Sequence, residues 1–241
     1  MGGIVIDGQR FEVPGIEVRN FLDDGVLRFK HRDRTGPVNE IVVHESVTET
    51  VGGTERVLDR KGYGVHLMVG PDGSVANHND LARDRLIHAG GHNGPSVGIE
   101  IVNPYYSGKI LDEGDDDRDG MWRWIIRAAW AHKGWHVVPT PEQLESVTGL
   151  IRFLASPAMA STTIKIPCVW RGFADGKMAM SRIPNGDDRI PGIYAHTYFG
   201  HADGAFAVLY AFLRIARGFD PTEAFARAML DAPGPHRSVI V

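Results

Sequence analysis

Short β-branched bursts, separated by turn clusters and followed by two long amphipathic stretches, dominate the hydrophobic pattern. Ile41-Val42-Val43-His44 is a continuous apolar run closed by a histidine, the pattern of a buried strand that delivers a polar group at its C-terminal end. Val65-His66-Leu67-Met68-Val69 and Ser74-Val75-Ala76 flank Gly70-Pro71-Asp72-Gly73, which predicts a hairpin. Val97–Val102 predicts a further strand with one carboxylate, Glu100, in apolar company, and Ile164–Val169 another. Alternation puts Glu100 on the same face as Gly98 and Val102.

Helical spacing enters later. Trp122, Ile125, Ile126, Ala129 and Trp130 are spaced as a helix face. Thr140-Pro141-Glu142-Gln143 is a capping box with proline at the first helical position, and Leu144, Val147, Leu150, Ile151 and Leu154 form the stripe behind it. A last large helix is expected from about residue 204 to 217, stopped by Gly218, and Asp220-Pro221-Thr222-Glu223 caps a short terminal one. A chain of this length with these elements is expected to form one sizeable α/β domain. Residues 1–36 read as an irregular strap with one short strand, and 105–138 and 171–188 as loop elaborations of a single domain covering 1–241.

Length supports one sizeable core. The apolar fraction of 43% and charged fraction of 23% are those of an ordinary globular chain. A net charge of −4 supplies no basic field for nucleic acid, so none is expected as a partner. The first eleven residues lack a secretory signal pattern, and no apolar run is long enough to span a bilayer; cytoplasmic synthesis without stable membrane insertion is the expectation. Cys168 is the only cysteine among 241 residues, against eleven histidines, so neither an internal disulfide nor a cysteine-rich zinc knuckle can form. Asp115-Asp116-Asp117 reads as a solvated run with a calcium loop as the alternative, and the tryptophans 122, 124, 130 and 135 as core with a sugar platform as the alternative.

Three separated segments carry a resemblance. They are Ile41–His44; Val65–Val69 with Asp72–Val75, Ile87-His88-Ala89-Gly90 and Ser96–Ile101; and His196 followed seven positions later by Asp203-Gly204. In order and spacing these resemble the type-2 N-acetylmuramoyl-L-alanine amidases, a family that includes phage amidases, cytosolic muropeptide-recycling amidases and peptidoglycan-recognition proteins. The resemblance implies a central mixed β-sheet flanked by helices. It also implies one Zn2+ held by His44, His196 and Asp203, with a fourth position open for catalysis.

It further implies a peptidoglycan or muropeptide substrate cut between the muramic-acid lactyl group and L-alanine. Glu100 takes the place of the catalytic glutamate of recycling-type members and is the expected general base. His201 stands where the family usually has lysine and, protonated, would stabilise the developing oxyanion, with activity falling as pH rises. The tyrosine that other members place beside the hairpin histidine is here Val65. His88 and His66 are expected to contact substrate or support the ligands. The setting expected is a phage or prophage endolysin made in the host cytoplasm and acting on the wall after release. A recycling enzyme, an injected effector and a metal-free recognition module are the alternatives, with a stem-peptide peptidase disfavoured by the absence of His-Glu-x-x-His, and oligomeric state is left open.

Overall fold

The computed structural model describes residues 2–106, 124–232 and 238–240; the acidic run and Trp122 lie outside them. Its centre is a six-stranded mixed sheet, with strands β1 (Val18–Asn20), β2 (Glu40–Glu45), β3 (Leu67–Val69), β4 (Val75–Asn77), β5 (Ser96–Ile101) and β6 (Gly192–Ala195). Their order across the sheet is β6-β2-β5-β3-β4-β1, and only the β3–β4 hairpin is antiparallel. β2 and β5 are buried at all six positions, as central parallel strands covered on both faces should be.

Among the described residues four α-helices accompany the sheet: α1 (Val51–Lys61), α2 (Pro141–Leu154), α3 (Ala205–Ile215) and α4 (Pro221–Asp231). On one face Ile41, Val43, Leu67, Val69, Val97, Ile99 and Ile101 share a core with Leu144, Val147 and Ile151 of α2 and Phe206 and Leu209 of α3. Alternation sends Met68 and Ala76 to the other face, where they pack with Phe29, Val65 and Leu86 against Val51 and Leu58 of α1. His44 and Glu100 leave the sheet on this second face. The α2 capping box forms as expected: Thr140 accepts from Gln143 N–H, and the Gln143 side chain accepts from Thr140 N–H.

Three expectations change. The Trp-rich stretch is not helical over its described part: Trp124–Arg127 pairs antiparallel with Trp135–Val138 and with Ser238–Ile240. Ile125 and Ile126 are both buried, which places apolar groups on both faces of a strand, where β-branched and aromatic residues fit well. Trp124 and Trp130 are half-buried against the main core and Trp135 against a smaller apolar cluster.

Ile164–Val169 forms only an isolated bridge at Ile164 to Val38; Pro167 within it has no N–H to give a ladder. The N-terminal strap holds four strands rather than one, Ile4–Ile6, Gln9–Phe11, β1 and Arg32–Asp33, of which β1 joins the central sheet and Arg32–Asp33 pairs with Asp84–Arg85. Among the described residues no helix is long and apolar enough to cross a membrane.

Candidate metal centre and active-site groove

β2 and β6 run parallel and side by side, Val43 opposite Ala195. Both end at the same edge of the sheet, so His44, at the end of β2, and His196, directly after β6, come together with ring centroids 4.2 Å apart. After a single 3-10 turn, His196–Phe199, the chain reverses through Gly200 in the left-handed region and returns Asp203 to His196. Asp203 Oδ1 lies 3.0 Å and Oδ2 3.2 Å from His196 Nδ1. One donor atom from each of His44, His196 and Asp203 falls within 4.8 Å of the other two, and all three residues are buried. Asp203 does not cap α3, the simplest alternative use for a carboxylate there: the N-cap is Gly204, with no side-chain cap bond.

Glu100 stands beside this group. It is the register partner of His44 on one side and of Met68 on the other. Burial, then Asp203 and Glu45, push its carboxyl well above the usual range. Burial and the surrounding imidazoles hold His44 and His88 well below the ordinary histidine value, so both are neutral at neutral pH. His88 Nδ1 lies 3.0 Å from His44 Nε2 and His88 Nε2 3.2 Å from Ser96 Oγ. Room for this ring exists because residue 98 is glycine, where a Cβ would press into it at 2.8 Å. His201 is exposed and stacks on His196, centroids 4.0 Å apart and planes 9° from parallel. Burial, then His196, lower its pKa, with Asp203 acting the other way.

His66 is placed differently from the expectation of substrate contact. It is fully buried, with Nδ1 accepting from Gly98 N–H and Nε2 3.0 Å from Arg34 Nη2 and 2.9 Å from Asp84 O. Burial, then Arg34, depress it to about 3. Both nitrogens are engaged beneath the site, and no surface remains for a ligand. Arg34 itself joins the backbone oxygens of Gly94, Asp84 and Ser96, so the pair ties together the segments that carry His88 and Glu100.

A groove of about 620 Å³ opens over the histidines, Glu100 and Asp203. Leu58 and Lys61 of α1, with Tyr63 and Ile87, form one wall; Tyr63 and Ile87 are each 48% exposed. This wall had no clear sequence signal, since α1 carries Gly52-Gly53 in its first turn and buries only Thr54. Its ends carry cap residues that a sequence reading could have used: Thr50 accepts from Gly53 N–H, and Gly62 stops the helix at φ 69°. Glu45 was also missed. It follows His44 on the opposite face of β2 and accepts from Gly204 N–H at 2.9 Å and Asn103 Nδ2 at 2.7 Å.

An α/β sheet with a two-histidine, one-carboxylate group at the ends of adjacent parallel strands defines the class of a candidate metallohydrolase. The chain belongs to the N-acetylmuramoyl-L-alanine amidase family, whose model matches residues 34–164. That match includes His44 and Glu100 and stops short of His196 and Asp203. No curated protein sequence matches the chain.

Among solved structures, it is similar to wild-type Drosophila PGRP-LB, with a TM-score of 0.46 and 14% identity over 85% of this chain and 96% of that one. Drosophila PGRP-SD follows at 0.44 and 14%, over 83% and 94%. The endolysin amidase LysCS of Clostridium intestinale gives 0.39 and 15%, over 77% and 82%.

Proposed function

We propose that this protein is a zinc-dependent N-acetylmuramoyl-L-alanine amidase, organised as a single domain, that hydrolyses the amide between the muramic-acid lactyl group and L-alanine of peptidoglycan. The observation that carries the reading is the convergence of His44, His196 and Asp203 on the floor of a groove. Two imidazoles and one carboxylate match the borderline softness of zinc. The donor set also fits a cation: His44 is held neutral by burial, and the buried Asp203 Oδ1, though 3.0 Å from His196 Nδ1, completes no hydrogen bond there, a cost that a bound cation would remove.

When bound, zinc supplies Lewis acidity, polarising the scissile carbonyl and easing deprotonation of water. Glu100 takes the proton of the attacking water. As the C–N bond breaks it passes that proton to the departing amine of L-alanine, leaving a carboxylate on the lactyl side. A cation held by the ligand group would counter the burial that raises the Glu100 carboxyl and so favour the ionised form that accepts the proton. His88 orients His44 through their contact. Tyr63, Ile87 and Leu58 offer apolar surface to the substrate, and Lys61 a cation at the same wall.

The test is hydrolysis of a soluble muramoyl peptide with and without chelation. Release of free L-alanine amine that stops on zinc removal and returns on its restoration supports the reading; a protein that binds muropeptide without zinc and without hydrolysis is a recognition module instead. Within this reading we take the enzyme to be a wall-lytic endolysin rather than a recycling amidase, supported by the additional segments at 105–138 and 171–188. Faster turnover on intact sacculi than on soluble anhydromuropeptides is the expected result.

A further inference from the structure

Asp203 lies in a short return between the 3-10 turn and α3, a place where a carboxylate would ordinarily wander. Its backbone is instead fixed on both sides. The Asp203 carbonyl accepts from Thr197 N–H at 2.9 Å, and the next N–H, that of Gly204, donates to Glu45 Oε1 at 2.9 Å. Gly204 has φ 78°, and a Cβ there would run into the carbonyl oxygen of Val43, so this corner is pressed against β2 at the residue preceding His44.

Glu45 is 3% exposed. Its other oxygen accepts from Asn103 Nδ2 at 2.7 Å, and Asn103 in turn donates to Val137 O at 2.7 Å. His136 Nε2 stands 3.7 Å from the same Glu45 oxygen. A polar side chain buried against an apolar core is costly unless hydrogen-bonded, and both oxygens of this one accept from groups that they fix.

We infer that Glu45 is a positioning residue for the metal: through Gly204 it fixes the Asp203 corner to β2, so that one strand sets two ligands, His44 directly on one face and Asp203 through the side chain on the other. The inference rests on the zinc reading. It assigns Glu45 no contact with substrate or ion.

The test is zinc affinity of the full chain, read by competition with a chromophoric chelator. Glu45→Ala removes the tether and is expected to weaken zinc binding roughly 10- to 100-fold, the range for residues that orient metal ligands. Glu45→Asp, one methylene too short to reach Gly204, should weaken it comparably. Glu45→Gln, whose amide oxygen can still accept from Gly204 N–H, should return affinity to within about threefold of wild type.

A merely structural glutamate would lower the thermal midpoint of all three metal-free variants and leave zinc affinity unchanged, which overturns the inference. If Glu45→Ala does not fold, Glu45→Asp decides by the same criterion. Wild-type protein that takes up no zinc defeats the zinc reading itself; wild-type and Ala or Asp variants binding equally defeat only the role of Glu45.

Discussion

His44 and Glu100 are register partners on adjacent parallel strands, so their side chains leave the sheet together on the groove face. The strand pairing thereby sets a candidate ligand beside a candidate base with no loop between them. Glu100→Gln keeps the shape and removes the proton acceptor. It is expected to lower kcat by about 10²–10⁴-fold while zinc affinity stays within a few-fold of wild type; steady-state kinetics with a chelator titration on the same preparation check both. Equal loss of zinc would make Glu100 part of the metal site instead.

Asp203→Asn removes the charge from the ligand group at constant size. Wild-type protein should gain about 2.7 kcal/mol of stability at free zinc near 100 times Kd, visible as a raised thermal midpoint. The variant should show no such rise and no amidase activity.

His201 is held below the ordinary histidine value by burial and by His196, so its cationic form belongs to acid pH. The ratio of wild-type to His201→Ala kcat should therefore be largest near pH 5.5 and shrink toward one above pH 7. A ratio independent of pH removes the imidazolium from the mechanism.

His136 sits among Trp130, Tyr105 and Phe206, 1% exposed, with no hydrogen-bond partner at either nitrogen. Burial depresses it from 6.5 to about 3. Below pH 6.5 the unfolded chain binds a proton there that the folded chain does not, so this group costs stability as pH falls, by up to about 1.4 kcal/mol per pH unit until the folded value is reached. His136→Phe should stabilise the metal-free protein, with the gain over wild type widening from pH 7 to pH 5 in urea titrations. A gain that does not change with pH would mean the imidazole is protonated in the fold.

What the sequence made legible was whatever local chemistry dictates. The run ending at His44, the hairpin around Gly70–Gly73, the strand bearing Glu100 and the capped helix α2 all appear where their patterns place them. Trp124-Ile125-Ile126 misled because three large apolar residues in a row fit a helix and a two-sided strand equally, and only the pairing with residues 135–138 decides between them. At the site, His44, His196 and Asp203 meet as the resemblance implied. His66 is not at the groove because its ring is taken up by Gly98, Arg34 and Asp84, all remote in sequence. Glu45 was invisible for the same reason: its bond to Gly204 spans 159 positions, and nothing near residue 45 announces it.

The strand that delivers His196 docks on the flank of β2 after more than 150 residues have intervened. A nascent chain thus exposes its first imidazole early yet cannot assemble a chelate until position 203 has been synthesised and β6 has docked. A fragment ending at residue 164, though it contains the whole family-matched region, would offer zinc only one member of the trio and should remain indifferent to it.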